Sequence, residues 1–105
     1  MLFTFWGFMA KGYWLAIGKI TDSKKIKAYS EAFNSWISAV GGSFLIRDFE
    51  TIEKEGHTGH LTAVVQFESK EAAISAYESN EYQEMIKKRT PFSEIALSIM
   101  EGVTI

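Results

Sequence analysis

Residues 12–20 read GYWLAIGKI, and this segment organises the rest of the chain. Apolar side chains stand at both odd and even positions, so both faces of an extended segment would be apolar. That pattern is typical of a strand covered on both sides, in the middle of a sheet. We therefore predict a central strand over Gly12–Ile20.

A helix is predicted to follow this strand. Thr21-Asp22-Ser23 supplies an N-cap, and the next apolar residues recur at steps of three and four, which places them on one face of a helix. These residues are Ile26, Tyr29, Phe33, Ile37 and Val40. Gly41-Gly42 is expected to end the helix, because glycine adopts the left-handed conformation without a Cβ clash.

Two strands joined by a hairpin are predicted next, over Ser43–Glu53 and Leu61–Glu68, with a glycine-containing loop between them. Phe44 and Ile46 are expected on one face of the first, and Leu45, Arg47 and Phe49 on the other. The second strand is largely apolar on both faces. It is therefore predicted to be the other central strand of the sheet.

A second helical region and a final strand complete the chain. Ser69 is predicted to cap a helix that pauses at Ser79-Asn80, where Asn80 caps a further turn. Thr90-Pro91 ends that turn, and the last strand runs over Ile95–Met100. The order β-α-β-β-α-β predicts an α+β fold, a four-stranded antiparallel sheet with two helices on one face.

The other face of this sheet is predicted to be bare. Trp14 or Tyr13, and Val64 or Val65, would point from it, and monomers rarely expose such an apolar surface. We expect a second copy to cover it, with the edge strands pairing across subunits into a closed barrel. The chain is therefore predicted to form a homodimer.

Length and composition limit the number of domains and the kinds of partner and cofactor that the chain can have. The chain has 105 residues, 47% of them hydrophobic, which predicts one folded domain, assigned here to residues 11–105. A formal net charge of -2 argues against nucleic acid as a partner. With no cysteine there is no disulfide or thiolate site, and no cofactor or metal is predicted.

Aromatic residues make up 14% of the chain, and this high content suggests that the protein binds a partner subunit or an apolar ligand.

The first ten residues, Met1–Ala10, are apolar but lack the basic region and cleavage site of a signal peptide. We interpret residues 1–10 as an N-terminal extension, or as the product of a start assigned upstream of Met9. The alternative is an arm that packs its aromatic residues on a partner. No apolar run approaches the roughly 20 residues of a membrane span, so a cytoplasmic location without a membrane partner is expected.

Several segments together resemble the domain-of-unknown-function-1330 family of the dimeric α+β barrel superfamily. They are Lys11–Ala16, Gly41–Arg47, Glu55-Gly56 and Ala63–Ala73, continuing through Tyr77 to Glu81-Tyr82-Gln83. The resemblance covers about residues 11–102 and implies a ferredoxin-like homodimer. The superfamily includes cofactor-free monooxygenases, haem-degrading enzymes and isomerase-like proteins, and the family itself implies no reaction.

Two residues are candidates for catalysis. Arg47 is a cation in an otherwise apolar strand, and its planar guanidinium suits a carboxylate or enolate. Its alternative role is an ion pair, with Asp48, Glu50 or a partner subunit. His60 begins a strand, and an imidazole there could move a proton near neutral pH. With His57 it could also ligate metal, but a solvated hairpin is the preferred interpretation.

Aromatic residues are candidates for substrate binding: Tyr13, Trp14 and Tyr29 could line an apolar cleft between sheet and helices. Core packing is the alternative for each of them. Lys87-Lys88-Arg89 is expected to be a solvated helix end.

Two hypotheses of function follow. The first is a cofactor-independent enzyme of the isomerase or monooxygenase type acting on a small, partly apolar metabolite, in which Arg47 holds an oxyanion and His60 or a tyrosine moves a proton. The second is a non-catalytic dimer that binds a small ligand or is purely structural. An enclosed pocket of about 300 Å³ or more, reached by Arg47 or His60, would favour the first.

Overall fold

The computed structural model describes residues 10–104, so the predicted extension lies almost entirely outside the described residues. The strands are β1 (Gly12–Ile20), β2 (Ser43–Asp48), β3 (Leu61–Phe67) and β4 (Ser93–Glu101). The helices are α1 (Lys27–Trp36), α2 (Lys70–Glu78) and α3 (Asn80–Met85), followed or joined by short 3₁₀ turns at Ile37–Val40, Ile86–Lys88 and Thr90–Phe92. Within residues 10–104, no helix is both long and apolar enough to cross a membrane.

The four strands form one antiparallel sheet in the order β2-β3-β1-β4. The two strands that are apolar on both faces, β1 and β3, occupy the centre, as the sequence predicts. The helices pack on one face of the sheet. The predicted α+β architecture is confirmed, with the second helical region divided into two helices at Ser79.

The pairing register assigns each face of β1. Trp14 lies opposite Val65 of β3, and both side chains are buried beneath the helices. Because successive side chains of a strand point to opposite faces, Tyr13 and Val64 stand on the open face. The sequence left Trp14 or Tyr13, and Val64 or Val65, as candidates for the face opposite the helices. The register assigns Tyr13 and Val64 to it, and among residues 10–104 no helix covers this face.

The core is built around the indole of Trp14, which is 1% exposed. Five aromatic rings surround it with centroid distances between 4.9 and 6.3 Å, those of Phe33, Trp36, Phe67, Tyr77 and Tyr82. The indole N–H donates to the carbonyl of Ala73 at 2.8 Å, so the polar atom of this side chain is also satisfied. This cluster joins β1, β3 and all three helices.

Strand β2 is shorter than predicted and carries a bulge between Phe44 and Ile46. A bulge adds one residue to one strand and reverses the alternation beyond it. The predicted grouping of Phe44 with Ile46 is therefore wrong. Phe44 pairs with Val65 and Arg47 with Ala63, which places both on the helix-covered face.

The helix starts agree with the sequence in part. The Ser69 hydroxyl accepts from the Ala72 N–H at 3.0 Å and caps α2 as predicted. The cap of α3 is Ser79, whose hydroxyl accepts from the Tyr82 N–H, and the prediction of Asn80 is wrong by one residue. Ser79 has the extended backbone of an N-cap, while Asn80 is already helical.

Candidate binding pocket

A cavity lies between α1 and the sheet, at the end of the sheet where β1 finishes. Ala16 of β1 faces it, flanked in register by Ala63 of β3 and Leu97 of β4. Two alanines side by side leave space that larger side chains would fill. Further apolar lining comes from Ile20, Ile26, Phe33, Phe44, Phe49, Leu61 and Ile95.

The cavity has a volume of about 110 Å³. This volume is smaller than the roughly 300 Å³ expected of an enzyme pocket. A cavity of about 150 Å³ accommodates benzene in an engineered protein core. The space seen here therefore suits a molecule of at most about one six-membered ring.

Arg47 is brought to the cavity by the β2 bulge and remains exposed to solvent. Its Nη1 donates to the Asn34 side-chain oxygen at 3.2 Å, and its guanidinium carbon lies 4.7 Å from the centre of the Phe44 ring. Within residues 10–104, no carboxylate forms an ion pair with it. The Asp48 carboxylate instead accepts from the Glu50 N–H at 2.8 Å.

Arg89 also lines the cavity, and it is only 7% exposed. Its guanidinium carbon lies 5.7 Å from the centre of the Tyr29 ring. In the described part of the chain, its Nε–H has no hydrogen-bond partner. The prediction that Lys87-Lys88-Arg89 is solvated throughout is wrong at Arg89, although both lysines are exposed.

A sequence signal for the burial of Arg89 existed. Tyr82 and Met85 are buried, and Arg89 follows them at steps of three and four residues. It therefore continues the inward-facing stripe of α3 through the 3₁₀ turn that follows. The charge of Lys87-Lys88-Arg89 suggests a surface position for all three residues. The spacing of Arg89 from Tyr82 and Met85 instead indicates the interior.

Tyr29 of α1 lines the cavity, and its hydroxyl lies 2.8 Å from that of Tyr82. Burial, and then the neighbouring Tyr82, raise the pKa of the Tyr29 hydroxyl well above its usual range, while Arg89 partly opposes the shift. Tyr29 is therefore a neutral hydrogen-bond donor at physiological pH rather than a base.

The direction of the tyrosine hydrogen bond determines which proton is available to a ligand. Among residues 10–104, Tyr29 is the partner found for the fully buried Tyr82 hydroxyl. If Tyr82 donates and Tyr29 accepts, both oxygens are satisfied and the Tyr29 proton stays free. The opposite direction leaves the buried Tyr82 proton without an acceptor.

The structure brings together two of the five candidate residues, Arg47 and Tyr29. Trp14 lies in the aromatic core, and Tyr13 on the open face donates to the Gln66 side-chain oxygen at 3.1 Å. His60 is exposed outside the cavity lining, and its Nε2 accepts from the Ile20 N–H at 3.4 Å. Arg89 is the lining residue that the sequence reasoning missed.

A shallower depression lies beside the β2–β3 loop, next to β1 and β4. The Glu53 carboxylate accepts from the backbone N–H groups of Thr58 and Gly59, which lowers its pKa below the usual value. Over the described residues, no three His, Cys, Asp or Glu side chains converge as metal ligands. His57 and His60 therefore lack a third described ligand.

The topology and register place this chain among ferredoxin-like α+β proteins, here with a small apolar cavity under the first helix. It belongs to the family described as domain of unknown function (DUF1330), whose model matches residues 11–103. The predicted membership is confirmed. No curated protein matches the chain.

Solved structures share this fold at low sequence identity. A protein of unknown function from Rhodopseudomonas palustris is 12% identical with a TM-score of 0.71, over 90% of this chain and 83% of that one. A candidate antibiotic biosynthesis monooxygenase from Caulobacter crescentus is 11% identical with a TM-score of 0.65, over 91% and 92%. A dimeric ferredoxin-like protein of unknown function from Thermobifida fusca is 7% identical with a TM-score of 0.60, over 89% and 92%.

Proposed function

We propose that this protein is a homodimer in which each subunit binds a small, partly apolar metabolite in the cavity between α1 and the sheet. The observation that carries the proposal is the lining itself. Apolar side chains make up most of the lining, which also includes Arg47, Arg89 and Tyr29. Small-molecule sites have this composition, an apolar body with a few polar groups that orient the ligand.

Filling the cavity tests this function. Ala63→Leu adds three carbons beside Ala16, at the wall formed by the sheet. We expect the variant to fold and to lose the stabilisation that small aromatic ligands give the unaltered protein in a thermal-shift screen. Ala28→Leu is the matched control, because Ala28 is exposed on α1. Equal ligand responses in all three proteins would rule out this cavity as the binding site.

The open face of the sheet supports the dimer. In the observed register it carries Leu15, Ile17, Ile46, Val64 and Met100. Contiguous apolar patches of this kind usually mark interaction sites. Among the described strands, β2 and β4 are the edges of the sheet, and the outer side of each can pair with a second copy. The neighbour from Thermobifida fusca is described as dimeric, which agrees with this assembly.

Sedimentation tests the assembly. At micromolar concentration we expect a mass near twice 11.9 kDa. Val64→Glu places a charge on the open face and should give a folded monomer, since an uncompensated charge is costly to bury at an interface. Ala28→Glu, which introduces the same charge on an exposed helix position, should remain a dimer. A mass near 12 kDa for the unaltered chain would contradict the proposed dimer.

Binding is better supported than catalysis by the groups at the cavity. Two permanent cations can hold an anion or stabilise a developing oxyanion, as a cofactor-independent isomerase or monooxygenase requires. Such a reaction also needs a base. The raised pKa of Tyr29 makes it a poor base, and His60 lies outside the lining. The enzyme hypothesis therefore requires the ligand, or the second subunit, to supply proton transfer.

A further inference from the structure

We propose that the ligand is a small carboxylate with an apolar body, and that Arg89 is the residue that selects its charge. This inference rests on the proposed function of the cavity and specifies the class of molecule that enters it. The geometry that carries it is a buried guanidinium that lines an apolar cavity, with one N–H unpartnered within residues 10–104.

A buried cation normally has an anionic partner, because removing a charge from water is costly without one. The ion pairs formed among residues 10–104 join Lys11 to Glu68, Lys19 to Glu94 and Lys87 to Glu84, and none of them involves Arg89. The Tyr29 ring offers a cation–π contact, and its hydroxyl is a neutral neighbour of Arg89, but neither neutralises the guanidinium charge. An anion in the cavity would supply the missing partner.

The other polar groups of the lining suit the same anion. Arg47 gives a second guanidinium at the exposed side, held by Asn34. Tyr29 keeps a proton to donate when Tyr82 donates to it. A carboxylate accepts from several donors at once and pairs with the planar guanidinium through both oxygens.

The rest of the cavity defines the body of the ligand. Most of its lining is aliphatic or aromatic, and its volume of about 110 Å³ leaves room for no more than about one ring. A phosphate dianion has no apolar part to match this wall, whereas a carboxylate on a short apolar body suits the cations and the apolar wall together. We therefore assign a monocarboxylate.

Calorimetric titration with benzoate and benzamide tests the assignment, because the two probes have the same ring and differ in charge. For the unaltered protein we expect benzoate to bind at least about 10-fold more tightly than benzamide. Arg89→Met should abolish this preference while retaining benzamide binding. Lys88→Met, which removes the adjacent exposed cation, should leave it unchanged.

A spectroscopic measurement on the unaltered protein covers the case in which Arg89→Met does not fold. The Arg89 Nε–H resonance should shift on addition of benzoate and much less with benzamide. Equal affinities for the two probes would overturn the carboxylate assignment. A preference that persists in Arg89→Met, or an unmoved resonance, would overturn the selecting role of Arg89. Each of these outcomes would leave the pocket intact. Failure of both probes to bind the unaltered protein would overturn the proposed pocket as well.

Discussion

The two ends of the helix-covered sheet face differ sharply, although one strand runs through both. At the first end Trp14 fills its space with five aromatic neighbours and satisfies its own N–H. Two residues later along the same face, Ala16 lies beside Ala63, and a cavity with two arginines replaces the packed core. We refer to them as the aromatic end and the cavity end.

The features of the aromatic end favour stability, whereas those of the cavity end favour binding. Close packing and satisfied polar atoms stabilise a fold, and the aromatic end has both. A cavity forfeits packing, and a buried unpartnered N–H costs free energy. A sequence selected for folding alone would remove both features, so their presence together at the cavity end supports a binding role there.

The largest effect is expected at the aromatic end. Trp14→Ala should lower the free energy of unfolding by about 3–5 kcal/mol, because it removes the ring on which the cluster is built. Urea denaturation of the purified variant measures this loss.

The milder Trp14→Phe is the matched control, since it keeps an aromatic ring but removes the N–H that donates to Ala73. Its free energy of unfolding should lie between those of the unaltered protein and Trp14→Ala. A loss below about 1 kcal/mol in Trp14→Ala would mean that the aromatic end does not dominate stability.

A smaller effect of opposite sign is expected at the cavity end. Without ligand, Arg89→Met should leave the free energy of unfolding unchanged or raise it by about 1–3 kcal/mol, because it removes a buried N–H with no partner among the described residues. Urea denaturation again gives the value. Lys88→Met, at an exposed position, should change it by less than about 0.5 kcal/mol.

A clear loss of stability in Arg89→Met would show instead that its contact with the Tyr29 ring is structural. The two ends would then both serve stability, and the functional reading of the cavity end would lose its energetic support.

The aromatic end and the cavity end also differ in how far they could be predicted from the sequence. Strand order, central strands and the inward face of α1 follow from apolar periodicity, which Gly12–Ile20 and Leu61–Phe67 display clearly. The faces of β2 could not be derived, because a bulge between Phe44 and Ile46 leaves no mark in the residue pattern.

The candidate site was predictable only in part. The residue types of Arg47 and Tyr29 indicate chemically suitable groups, but their meeting in one cavity depends on that bulge. The cavity itself arises where Ala16 and Ala63 pair across strands, and pairing register is not visible in a single strand. The charge of Arg89 predicts a surface position, although its spacing from Tyr82 and Met85 indicates the interior.

The smallest effect concerns the β2–β3 loop, which borders the cavity end. Hydrogen bonds from the Gly59 and Thr58 N–H groups lower the pKa of Glu53 in the folded state. The charged carboxylate therefore stabilises the loop at pH values above its unfolded pKa, near 4.5. This contribution is lost as pH falls through the lower folded pKa. Amide NMR shifts of Thr58 and Gly59 should therefore move with acidification below about pH 4.5.

Matched variants assign that transition to one carboxylate. Glu53→Gln should abolish it, while Glu55→Gln, an exposed neighbour in the same loop, should retain it. The Trp14 indole N–H should stay unshifted over this range, because its bond to Ala73 lies at the aromatic end. If the indole and the loop amides moved together, the two ends would be coupled and their independence would be disproved.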